Sequence, residues 1–155
     1  MAFPATYVNA YTLSQAVVGT AVDYDTHTHE VELYTSAFDG ASINKTALEG
    51  LGSTPWSANK VDYTGASPAG RNTLTTPAID LITTPADAMR FRDAGAATSV
   101  WTNGTFTADG CGVFNTTHAS DLLVAALAFG SGKQVIGGTL TITWDASNGI
   151  FVVTV

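Results

Sequence analysis

Charge is scarce in this chain of 155 residues: Asp, Glu, Lys and Arg make up 12% of it, about half of the roughly 25% usual in globular proteins. Bases are scarcer still, six against thirteen acids, for a formal net charge of −7. The six (Lys45, Lys60, Arg71, Arg90, Arg92 and Lys133) are scattered along the sequence, whereas a surface that tracks phosphates needs them clustered. Nucleic acid is therefore not expected as a ligand. Long apolar runs are also missing. The longest, Leu122 to Phe129, is eight residues diluted with alanine, far short of the roughly 20 needed for a helix to cross a bilayer, so no membrane partner is expected. The first lysine is residue 45, so the start has no basic stretch of the kind that opens a secretory signal, and synthesis without such a signal is expected. Cys111 is the single cysteine, which excludes an internal disulfide and any zinc site built on several cysteines. Flanked by Gly110 and Gly112, it reads as a buried, inert thiol.

What the chain does have is 45% hydrophobic residues and 24 threonines, with valine, glycine and aromatics in support. That mixture suits pleated, half-buried strands better than helices, and a chain of this length can hide roughly two-thirds of its unfolded surface in one core. The clearest pattern lies near the C-terminus. Leu140, Ile142 and Trp144 alternate with Thr139, Thr141 and Thr143, the period of a strand with one face on a core. Asp145 to Gly149 supplies turn residues and Ile150 to Val155 a second strand, so the chain is expected to end in a β-hairpin.

A second period of two runs through His27, His29, Val31 and Leu33 against Thr28, Glu30, Glu32 and Tyr34. Further strands are expected over Ala86 to Arg92, Thr98 to Thr107, Gly112 to Asn115 and Leu122 to Phe129, punctuated by Asn103 with Gly104, Thr116 to Ser120 and Gly130 to Gly132. Short strands at such intervals predict a mainly β fold, an antiparallel β-sandwich of immunoglobulin-like or jelly-roll-like type. Residues 1–22 read as an N-terminal arm or short helix. Residues 23–155 read as a single sandwich domain with a long excursion over residues 36–77, rich in Gly, Ser, Thr and Pro, with a short helix near Asn44 to Glu49.

Few constellations carry chemistry. Gly130-Ser131-Gly132-Lys133 ends like a phosphate-binding loop, but Leu127 stands where that pattern starts with glycine and Gln134 where it needs Ser or Thr, so a turn between strands is expected. His27 and His29 share one side of a strand and His118 could join them. Two imidazoles are too few for a metal site, and the pair is expected at the exposed start of a strand whose later residues, Val31 and Leu33, enter the core. No metal, no cofactor and no catalytic residue is expected. Sequons at Asn44, Asn103 and Asn115 reflect the abundance of threonine more than glycosylation. Trp144 belongs to an apolar face, which leaves Trp56, between Pro55 and Ser57, as the better contact residue.

Three segments carry a resemblance. Val100-Trp101-Thr102-Asn103-Gly104-Thr105-Phe106-Thr107-Ala108, the run Leu122 to Phe129, and Gly138 to Asp145 with the closing Ile150 to Val155 resemble a family of small structural proteins of tailed-bacteriophage virions. The block Asp23 to Phe38, with Val31, Leu33, Tyr34, Thr35 and Ser36, matches as well, and together they cover about two-thirds of the chain. The chain departs from the pattern at Asp109, Gly110, Cys111 and Gly112, where relatives place an aromatic and β-branched strand. Such proteins serve as head decoration, minor capsid or minor tail proteins. The resemblance implies a capsid decoration, or cement, protein on the outside of the head, made in the host cytoplasm, with the major capsid protein and copies of itself, such as a trimer, as partners. The alternative it allows is a minor tail or adsorption protein that contacts host surface glycans. It implies no catalytic residues, and enzyme activity is not expected. Phe3, Tyr7, Tyr11 and Trp56 are the expected docking residues, because they are aromatic and have no evident place in the sandwich.

Overall fold

The structure, a computed structural model, describes residues 7–8, 22–35, 59–82, 88–96, 98–118 and 121–154, with the side chains of 7, 8, 153 and 154 left aside. It is mainly β, with two antiparallel sheets stacked as a sandwich. In chain order the strands are β1 (Tyr7–Val8), β2 (His29–Tyr34), β3 (Asn72–Thr73), β4 (Pro77–Ile82), β5 (Ala88–Asp93), β6 (Thr98–Asn115), β7 (Leu122–Thr143) and β8 (Phe151–Thr154). The larger sheet runs β1-β7-β6-β2-β3 and the smaller β4-β5-β8. Among the described residues no helix is long and apolar enough to cross a membrane.

The strand predicted from the period of two is present as β2, its register fixed by β6, but both of its faces are largely buried. Val31 faces Val113, Leu33 faces Cys111 and His29 faces Asn115, and all six are buried on the inner face. The smaller sheet supplies the opposing layer through Phe91 on β5 and Phe151 on β8. Their rings meet each other at 5.5 Å between centroids, and Tyr24 meets Phe91 at 4.9 Å. Burying an aromatic or large aliphatic side chain of this kind contributes roughly 1.5–3 kcal/mol, so this seam holds the two sheets face to face. Trp101, on β6, is fully buried and donates its indole N–H to the Gly70 carbonyl at 2.8 Å. Trp144 is buried as expected.

Three expectations need correction. First, the C-terminal strands are not a hairpin: β8 pairs with β5, and only an isolated Asp145–Gly149 bridge joins the two arms of the turn. Asp145 Oδ1 accepts the N–H groups of Ser147 and Asn148, Gly149 takes φ +68°, and the Ile150 N–H then donates to the Phe91 carbonyl at 2.7 Å. The turn thus delivers the chain to the other sheet, where Ile150 and Phe151 find the core.

Second, Gly130 to Gly132 and Asn103-Gly104 punctuate strands without ending them. Ala108 faces Lys133 and Gly110 faces Ala128, so Phe129 to Gly132 bulge against Asp109 alone. Asn103 is a second irregularity, at φ 57°. The bulges absorb the glycines and let β6 and β7 continue pairing beyond them.

Third, residues 59–77 are not an excursion away from the sandwich. Val61, Ala66 and Leu74 are buried, Lys60 bridges to Tyr34, and Ser67 bridges to Thr102. The short helix read near Asn44 to Glu49 lies outside the described residues.

Candidate functional site

The two histidines singled out by their spacing do come together, but as a structural clasp. His29 is fully buried, not at an exposed strand start, and its Nδ1–H donates to the His27 carbonyl at 2.9 Å. Asn115, brought opposite by the β2–β6 register, donates one amide hydrogen to His29 Nε2 at 3.2 Å and the other to His27 Nδ1 at 3.0 Å. His27 Nδ1 also receives the Asp23 N–H at 3.3 Å, and Asn115 Oδ1 receives the His118 N–H at 3.2 Å. Burial pushes the His29 pKa down to about 4, partly offset by its bond to His27. Its ring nitrogens are thus occupied, and among the described residues no three His, Cys, Asp or Glu side chains are grouped to hold a metal ion. Asn115 is buried and committed to this clasp, which removes it as a glycan acceptor. Asn103 is exposed, and Asn44 lies outside the described residues.

A second polar group lies on the other face of β2, where simple alternation placed solvent. Glu32 is buried and accepts from Arg71 Nε at 2.9 Å, with Lys60 Nζ at 3.0 Å. Arg71 Nη1 also pairs with Asp121 at 2.9 Å and approaches Glu30 at 3.6 Å, while its guanidinium sits 5.0 Å from the Phe114 ring centroid. Burial works against the Arg71 charge, and the hydrogen bond and charge of Glu32, then of Asp121, overcome it, so its pKa is raised. Tyr34 and Phe114 are fully buried beside this group. The open backbone of Gly112 lets Phe114 and Tyr34 close over it. The network is saturated and offers no free acid or base.

Elsewhere, Arg90 and Arg92 both reach Asp80, whose pKa is lowered first by its hydrogen bond from Arg92. A cavity of about 150 Å³ beside them is lined by Arg92, Asp93, Ala94, Trp144, Asp145 and Ala146, smaller than the roughly 300–1,000 Å³ of ordinary ligand pockets. Its carboxylates are spent on backbone: Asp93 accepts from Thr75, Thr76, Gly95 and Ala96, and Asp145 caps its turn. Gly130 to Lys133 is exposed strand and bulge in which Lys133 Nζ meets Ser131 Oγ at 3.1 Å, with no helix N-terminus to hold a phosphate. Cys111 is fully buried and its pKa is pushed up to about 12 by that burial.

The remaining feature is an edge. On the side of β7 away from β6, the described residues supply only β1, opposite Ala125 and Ala126. Beyond the bulge, Val135, Leu140 and Ile142 pack against the core but stay partly exposed, Thr139, Thr141 and Thr143 are exposed, and Ile136 is 74% exposed. The edge of β4 differs. Leu81 there is 83% exposed, but Pro77 has no N–H to offer and the Ile79 N–H is capped by Asp25 Oδ1 at 2.7 Å.

Of the docking residues expected from sequence, Tyr7 pairs with Ala126 through its backbone, at the start of the same β7 edge. Phe3, Tyr11 and Trp56 lie outside the described residues. The β7 edge itself was missed, although its signal stands in the sequence as Thr139-Leu140-Thr141-Ile142-Thr143, uncharged and free of proline.

Fold and surface thus define a two-sheet, mainly β protein whose described ionisable clusters are internally satisfied and in which, among the described residues, β1 alone pairs with the outer edge of β7. No model of a known protein family, no curated protein and no solved structure matches the chain.

Proposed function

We propose that the chain is a structural protein of a tailed-bacteriophage virion: a capsid decoration, or cement, protein that binds the outer surface of the assembled head and stabilises it. The observation that carries this reading is where the resembling segments fall. Val100 to Ala108 lies on β6, and Leu122 to Phe129 with most of Gly138 to Asp145 lies on β7. The resemblance therefore concerns the two strands on which the larger sheet is built.

Each copy would bury surface across a seam between major capsid subunits, so that loosening the shell requires breaking many modest contacts at once. A ligand that binds only the assembled shell stabilises it by mass action. The acidic, base-poor composition supports a place outside the shell, away from packaged DNA. The role is one of contact and not of catalysis, with the major capsid protein and other copies of the chain as partners and no membrane or nucleic acid. Phe3, Tyr7, Tyr11 and Trp56 remain the proposed docking residues.

Copy number tests the reading. Quantitative staining of purified virions should give copies on the scale of the major capsid protein's own repeats, in the hundreds. A handful per particle would overturn decoration in favour of a tail or adsorption protein.

A further inference from the structure

We infer that the outer edge of β7 is where two copies of this chain pair, antiparallel, about a two-fold axis through Thr141. This gives a surface to the self-association included in the proposed function, and to that extent rests on it. The geometry is carried by the fold alone.

Open strand edges are usually blunted by charge, proline or a covering group, and β4 shows two of these devices, Pro77 and the Asp25 cap on Ile79. From Gln134 to Thr143, β7 has neither a charge nor a proline. Each copy carries a net −7, so two copies approach with least repulsion where the facing strips are uncharged. The row Val135, Leu140 and Ile142 is left partly exposed beside this edge, and an added strand would complete its cover.

The choice of a second copy comes from the pattern of the strand. Thr139-Leu140-Thr141-Ile142-Thr143 alternates threonine with a branched aliphatic residue in the same pattern in both directions. Antiparallel pairing centred on Thr141 sets Thr139 against Thr143 of the second copy, Leu140 against Ile142, and Thr141 against itself. Threonine then meets threonine on the exposed face and aliphatic meets aliphatic on the core face, the like-with-like pairing that stabilises neighbouring strands. A slip of one residue would set threonines against the apolar row. The contact is isologous, which favours a two-fold pair over the trimer implied by the resemblance.

Cysteine scanning of the purified full chain tests this without any particle, so its outcome is separate from that of head binding. Opposed Cα atoms of antiparallel strands lie about 4.5–5.5 Å apart, within disulfide range, and the native Cys111 is buried and does not compete. At high protein concentration under mild oxidation, Thr141→Cys is expected to form a covalent dimer at least tenfold faster than Thr107→Cys, an exposed control on β6. Thr139→Cys and Thr143→Cys should each stay monomeric alone and link when mixed. All four should keep the wild-type far-ultraviolet circular dichroism. Cross-linking of Thr141→Cys at the control rate, or of Thr139→Cys alone as fast as Thr141→Cys, overturns the proposal. So does a Thr141→Cys protein that stays monomeric when pure and links to a different protein on the virion.

Discussion

The His29 imidazole packs against the Phe91 ring at 5.1 Å between centroids, and the larger sheet meets the smaller through this contact. The histidine is buried and neutral, so it makes the sandwich acid-sensitive. Its pKa falls from 6.5 to about 4 on folding, so between those values the unfolded chain binds a proton that the folded one does not. Its contribution is intact above about pH 6.5 and lost as the pH falls toward 4, on the order of 3 kcal/mol in all. Urea unfolding at stepped pH should show this loss, and His29→Gln should flatten the slope between pH 6.5 and 4. An unchanged slope in the variant would assign the sensitivity elsewhere.

Gly149 turns the chain from β7 to the other sheet. Its φ is +68°, and a side-chain carbon there would fall on the Phe91 carbonyl oxygen that receives the Ile150 N–H. Gly149→Ala is expected to cost about 2 kcal/mol or more, from left-handed strain together with the clash. Thermal unfolding measures it, and a variant within 0.5 kcal/mol of wild type would contradict the crossing described for Ile150.

Arg71 holds the buried Glu32. Arg71→Met leaves that carboxylate with Lys60 as its remaining cation, and a loss of about 3 kcal/mol is expected, as for other broken buried pairs. Adding Glu32→Gln should recover part of the loss, because the uncompensated charge goes with it. Additive effects in denaturant unfolding would argue against direct coupling.

Cys111 is sealed in the core, with its thiol pKa pushed up to about 12. An aromatic disulfide reagent at pH 8 should label it only as fast as the protein unfolds, with labelling accelerated in the Arg71→Met background. Rapid stoichiometric labelling of the native protein would contradict its burial.

Much of this architecture was legible from period-two patterns, because the residues that alternate in β2 and in the last half of β7 also face a core. What stayed hidden depended on distant partners. Glu32 stands out of phase with Val31 and Leu33, the residues expected in the core, and nothing near it in sequence announces Arg71, 39 residues on. The ending looked like a hairpin because its turn residues are those of one, while the competing attraction, the Phe91 strand, lies far upstream. Gly130 to Gly132 reads as a turn because bulges and turns use the same glycine chemistry. The histidine spacing was visible, but its meaning rested on Asn115, which only the β2–β6 register brings opposite.

The central claim is that the chain binds the outside of an assembled phage head. The most direct measurement is co-sedimentation of the purified protein with emptied heads stripped of it. Saturable binding at a fixed ratio to the major capsid protein, with a rise in the heads' thermal dissociation temperature, is the result this account predicts. No binding to heads, together with retention on isolated host envelope, would contradict it.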